Sequence, residues 1–79
     1  MSQSKITLYS TDMCHLCDLA YEIVDAAAVE LDMTYTVVDI IDDDALYEAF
    51  KTTIPVLRNQ KGQHLNWPFT LEQVKRFLS

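Results

Sequence analysis

No stretch of this chain stays apolar for long. The longest uninterrupted aliphatic run, around Ala26–Val29, is only a few residues, far short of the ~20 that a membrane-spanning helix needs. The opening Met-Ser-Gln-Ser-Lys has no apolar signal core. A cytoplasmic, reducing setting is therefore expected. Bases are scarce as well: 6 Lys and Arg stand against 12 Asp and Glu, a net charge of −6. Residues 1–50 carry eleven acids and one base, Lys5; residues 51–79 carry one acid, Glu72, and five bases, Lys51, Arg58, Lys61, Lys75 and Arg76. Such a chain is poorly suited to nucleic acid, whose binding leans on phosphate neutralisation. The two halves read as solvated surfaces of opposite sign, the basic one offering a modest patch to an acidic partner.

Metal ligands are short too. Cys14 and Cys17 are the only cysteines, and His15 and His64 the only histidines. A structural zinc site needs two more ligands at fixed spacing, and His15 is locked between the cysteines, so no metal is expected. The acids Asp39, Asp42, Asp43 and Asp44 lack the spaced ligands and central glycine of a calcium loop and read as a solvated helix start. No linker, repeat or low-complexity segment divides the 79 residues, which read as one domain, 1–79. A hydrophobic share of 49% supports a small core.

What is present follows a clear order. Ile6 and Leu8 alternate with Lys5, Thr7 and Tyr9, predicting a first strand. From Leu16, apolar residues recur at Ala20, Ile23, Val24, Ala27, Ala28 and Leu31, with Asp18, Glu22, Asp25 and Glu30 on the other side: an amphipathic helix of about four turns. Thr34–Ile40 reads as a second strand. Asp42-Asp43-Asp44 opens a short helix to about Lys51, with Leu46, Tyr47, Ala49 and Phe50 as packing candidates. Pro55–Arg58 and Gln63–Asn66 are two further strands joined by a turn at Asn59–Gly62, where Gly62 supplies a positive φ. Thr70 and Gln73 form a capping box for a last helix whose apolar face is Leu71, Val74, Phe77 and Leu78. The fold class is α/β, in the order βαβαββα, with a four-stranded mixed sheet flanked by three helices.

The chemistry lies in Cys14-His15-Leu16-Cys17. The spacing places Cys14 at the N-cap of the first helix and Cys17 at its third position. A thiolate on Cys14 accepts hydrogen bonds from first-turn N–H groups that have no intrahelical partner, and the helix dipole favours it. Such cysteines have pKa values of about 3.5–7.5 rather than about 8.5. Cys17 is expected to be more shielded and to keep a higher pKa. The loop between them is too small for a cross-link to staple the fold, which favours reactivity: Cys14 attacks a disulfide and Cys17 resolves the mixed disulfide. His15, when protonated, favours the Cys14 thiolate, while Asp12 opposes it. Tyr9, Ser10, Thr11 and Met13 are expected to line the approach to Cys14. From spacing alone, Pro55 reads as a trans proline opening an edge strand.

The strand, the Cys-x-x-Cys at a helix start and Thr53-Ile54-Pro55 before a hairpin together resemble the thioredoxin superfamily. The length, with Cys-His-Leu-Cys-Asp, Ile-Pro-Val-Leu and Leu-Asn-Trp-Pro-Phe, is most similar to short glutaredoxin-like proteins, over nearly the whole chain. The resemblance implies a thiol–disulfide oxidoreductase in which Pro55 is cis and faces Cys14 and Cys17. It also implies that Ile54 pairs through its backbone with an extended substrate, with Thr53 and His15 beside it. The implied partners are a disulfide-bearing protein or small thiol and a reductase that recharges the pair; a monomer is expected. The sequence departs from the family at three places. Asp12 stands where a Lys usually precedes the first cysteine. Lys51 and Thr52 lead into Thr53. Asn66-Trp67-Pro68-Phe69-Thr70 replaces the Gly-Gly and acidic residue that hold one end of glutathione. Glutathione is accordingly not expected to be a required cofactor, and a metal cluster shared between two chains through Cys14 would need that same glutathione site. Trp67 and Phe69 read either as plugs where the last hairpin meets the last helix or as an aromatic surface for a partner. A redox-silent binding module on the same fold is the alternative function.

Overall fold

Leu8 sits in the centre of the molecule because strand alternation sends it one way and Thr7 and Tyr9 the other. The computed structural model describes residues 6–12 and 14–79; Lys5 and Met13, expected at the first strand and beside Cys14, lie outside the described residues. The elements are β1 (Thr7–Ser10), α1 (His15–Leu31), β2 (Thr36–Asp39), a 3₁₀ turn (Ile40–Asp42), α2 (Asp44–Phe50), β3 (Val56–Arg58), β4 (His64–Asn66) and α3 (Leu71–Leu78). The sheet order is β2-β1-β3-β4, with β1 and β2 parallel and the other two pairs antiparallel. This is the expected βαβαββα arrangement.

Register builds the core. Val37, Leu8, Leu57 and Leu65 are paired in a row across the sheet and share one face. Leu8 and Leu57 are fully buried there with Ala20, Val24 and Ala27 of α1, Val74 and Leu78 of α3, and Phe69. On the opposite face Tyr9 stacks on Phe50 of α2 at 4.7 Å, and His64 meets Phe50 edge-on at 5.4 Å.

Several expectations shift by a few residues, each for a local reason. β2 is shorter than Thr34–Ile40. Tyr35 turns its hydroxyl to donate to Asp25 Oδ1 at 3.1 Å, and at the other end the Asp39 carboxylate accepts from Ile41 N at 3.0 Å and draws the chain into the 3₁₀ turn. The acid run divides its labour: Asp42 closes that turn, Asp43 caps α2 through Ala45 N and Leu46 N, and Asp44 is the first helical residue. α2 is only two turns long, so it buries one edge. Leu46 and Phe50 are half-buried, whereas Tyr47 and Ala49 are exposed and not packed as expected. Leu16 is likewise exposed, because the buried stripe of α1 runs Cys17, Ala20, Val24, Ala27 and Leu16 lies beside it.

The chain ends of the elements behave as their residues dictate. α1 stops at Asp32, in the left-handed conformation (φ 56°), whose N–H reaches back to Ala28 and Val29 carbonyls. Gly62 has φ 82° in the β3–β4 turn. That turn is built around Asn59, the one buried polar residue among the described residues. Its Oδ1 accepts from Lys61 N and Gln63 N, and its Nδ2 donates to Gln63 Oε1 and Phe77 O. Thr70 and Gln73 complete the expected capping box.

Candidate active site

Ser10 ends β1, and four residues later the chain turns into α1 at Cys14, whose extended backbone (φ −106°, ψ 104°) makes it the N-cap. Cys14 Sγ accepts the Cys17 N–H at 3.1 Å, one of the first-turn donors that the helix cannot satisfy itself. Cys14 and Cys17 are joined in a disulfide, with their Cα atoms 5.2 Å apart. Cys14 is half-buried and Cys17 buried. The cap, the third-position partner and the difference in access all stand where the spacing placed them.

Sheet register decides what surrounds the pair. Val56 lies beside Tyr9, so Ile54-Pro55 is level with the end of β1; Asn66 lies beside Val56, which brings Trp67-Pro68 to the same end. Asp39 pairs with Ser10 in the parallel ladder and ends there too. Parallel strands present their carboxyl ends as a crevice, and the disulfide rises from that end. Ile54-Pro55 is cis, as is Trp67-Pro68, in place of the trans proline read from spacing alone. Pro55 is fully buried and its carbonyl accepts from Trp67 N at 3.2 Å. Ile54 is half-buried, with its N–H donated to Phe50 O at 3.0 Å. Thr53 is exposed and commits its hydroxyl to the same carbonyl at 3.3 Å, closing the end of α2.

The charged residues divide. His15 projects into solvent and makes no hydrogen bond or ion pair among the described residues. Lys51 is held by Glu48 at 3.1 Å and lies over the Tyr47 ring. Asp12 lines a cleft of about 320 Å³ on the Cys17 side of α1, together with Asp18, Asp39 and Tyr21. The last three were not among the sequence candidates. Asp18 reads as helix surface and Asp39 as a strand end, and only the parallel β1–β2 register unites them. Ser10 and Thr11 line this cleft too, whereas Tyr9 faces Phe50 on the other side of the sheet. Among the described residues no three His, Cys, Asp or Glu side chains gather as a metal site. Phe69 joins the core, and Trp67, half-buried, packs edge-on against it at 5.0 Å.

Two groups away from the disulfide have displaced proton affinities. Burial, with hydrogen bonding to Tyr21 and Asp25, pushes the Tyr35 phenol above its ordinary value of 10.0. The hydrogen bond to Glu30 raises Lys75 above 10.5.

Comparison with known proteins agrees with this architecture. The sequence profile described as Glutaredoxin-like domain (DUF836) matches residues 5–79. The crystal structure of target protein XcR50 from X. campestris is 39% identical over 91% of this chain and 92% of its own, with a TM-score of 0.80. Protein Ne2328 from Nitrosomonas europaea is 18% identical over 100% and 95%, with a TM-score of 0.79. Thioredoxin 1 from Thermosipho africanus is 18% identical over 91% and 86%, with a TM-score of 0.67. The last two share the thioredoxin-like fold with this chain. No curated protein matches it.

Proposed function

The chain belongs to the glutaredoxin-like domain family (DUF836), and from that membership and the cysteine pair at the head of α1 we propose a thiol–disulfide oxidoreductase. The Cys14 thiolate attacks one sulfur of a substrate disulfide, and the other sulfur leaves as a thiolate. The Cys17 thiolate then attacks Cys14 Sγ, releasing the second substrate thiol and closing the Cys14–Cys17 disulfide. Two electrons pass from the pair to the substrate, and an external thiol reductant returns them.

The observation that carries this reading is the Cys17 N–H donated to Cys14 Sγ at 3.1 Å. A donor aimed at that sulfur stabilises negative charge on it, before attack and when it leaves. The burial of Cys17 suits the resolving role, since a large reductant or substrate meets Cys14 first. Ile54, whose N–H is donated to Phe50 O, offers its carbonyl to an extended substrate lying beside Thr53, Pro55 and His15. His15 when protonated and Asp12 when ionised tune Cys14 in opposite directions. The setting is the reducing cytoplasm; among the described residues no helix is long and apolar enough to cross a membrane. The protein acts as a monomer on a disulfide-bearing protein or small thiol and needs no cofactor. Glutathione is not obligatory, because Trp67 and Pro68 stand where close backbone approach would be needed.

The reduction potential of the Cys14–Cys17 pair, measured in glutathione buffers of graded ratio with adducts followed by mass spectrometry, tests this. We expect reversible Cys14–Cys17 exchange without a stable glutathione adduct. A value of about −200 to −230 mV with a ready Cys14 adduct makes glutathione the reductant. Absence of any exchange favours the redox-silent binding module; in that case Cys14→Ser retains its partner.

A further inference from the structure

Leu16, Leu19, Ile23 and Ala26 recur along α1 as a second apolar stripe, distinct from the Cys17–Ala20–Val24–Ala27 stripe that the core uses. Leu16 is 46% and Leu19 39% exposed. Across from Leu19, Ile23 and Ala26 stand Trp67 and Leu71, and with Glu22 they line a groove of about 410 Å³. One helical turn beyond Ala26 and Leu71, Glu30 and Lys75 meet in an ion pair at 2.8 Å and close its far end. Towards its near end the stripe runs on to the exposed Leu16, in the first turn of α1, the turn that Cys14 caps.

The charge around this floor is net negative: Glu22, Glu30 and Glu72 stand against Lys75. Lys75 is held by Glu30 and approached by Glu72 at 3.9 Å. Glu22, on the rim itself, has no ion pair among the described residues. A second copy of the chain is a poor occupant, because two-fold pairing sets one acidic rim against another and adds a net charge of −6 to −6.

We propose that this groove docks the protein whose disulfide Cys14 attacks, and that the partner presents a basic segment bearing an apolar side chain. The identity of the partner as a redox substrate rests on the oxidoreductase reading; the docking chemistry does not. Cys14 to Ile23 is nine residues, about 13.5 Å of helix at ~1.5 Å each. An extended segment advances ~3.3 Å per residue. The anchoring side chain therefore lies about four residues from the partner's cysteine.

Trp67 is the only tryptophan, so its fluorescence reads the groove directly. The probes are a short Lys- and Arg-rich peptide, with leucine about four residues from a serine in the cysteine's place, and the same peptide with Glu and Asp for its bases. The basic peptide is expected to change Trp67 emission saturably and to bind about tenfold more tightly than the acidic one, as several exposed charge pairs together provide. That preference vanishes in ~1 M salt, where the screening length is about 3 Å. Leu19→Ser weakens the basic peptide by about fivefold or more. Glu22→Lys narrows or reverses the preference, which unfolding would not do. Equal binding of the two peptides, no Trp67 response, or self-association that shields Trp67 overturns the proposal. The serine peptide cannot exchange thiols, so the two readings separate. A Trp67 response without disulfide reduction removes the oxidoreductase reading and keeps the docking surface, whereas reduction without a response does the reverse.

Discussion

Cys14 serves as helix cap and as reactive sulfur at once, and these roles draw on the same backbone donor. A Ser in its place keeps an oxygen for the Cys17 N–H and so keeps the cap. Cys14→Ser should therefore fold normally yet lose all disulfide exchange, and a reductase-coupled assay checks it. Cys17→Ser should instead accumulate a mixed disulfide at Cys14, visible by mass spectrometry of protein recovered from cell extract. Asn59 is the residue-scale counterpart for stability. It satisfies two backbone donors of the hairpin turn and reaches the Phe77 carbonyl of α3. Asn59→Ala removes the partner of those part-buried groups and should cost about 1 kcal/mol, read as a lower urea midpoint. The cap was legible from spacing, because it needs only the three-residue offset. Asn59 read only as a turn residue, because its bond to α3 spans 18 positions in the chain.

The elements stop and start on short polar side chains. Thr70 and Gln73 satisfy two donors reciprocally at the head of α3, and Thr70→Ala should destabilise the protein by about 1 kcal/mol. α1 ends differently: Asp32 places a carboxylate at the negative end of the helix dipole and adopts a left-handed φ of 56°. Asp32→Gly removes both penalties against a larger loss of chain entropy. Thermal denaturation should show a net gain of up to about 0.5 kcal/mol. Capping boxes and helical periods are local, which is why α1 and α3 were legible almost to the residue. The bounds of β2 and the exposure of Tyr47 and Ala49 were not. They depend on where Tyr35 finds Asp25 and on how little of the sheet α2 covers.

At the scale of the whole molecule, two displaced groups set an alkaline limit. Tyr35 and Lys75 both bind their protons more tightly when folded, against ordinary values of 10.0 and 10.5. The folded state therefore holds more protons than the unfolded chain in that range, and the stability they contribute is complete below about pH 10 and lost as pH rises further. Urea midpoints should be flat from neutrality to about pH 10 and then fall, and Tyr35→Phe should make that fall shallower. The same scale governs the site. By itself the sequence determined the βαβαββα order, the Thr70–Gln73 capping box and the dithiol at a helix start, since each is written in neighbours a few residues apart and in periods of two or 3.6. Only the tertiary structure decided that Ile54-Pro55, Trp67-Pro68 and Asp39 share the end of the sheet from which Cys14 emerges. It also decided that a second apolar stripe of α1 meets Trp67 and Leu71 in an open groove. Those juxtapositions depend on strand register and helix packing, which join residues tens of positions apart and leave no periodic trace in the chain.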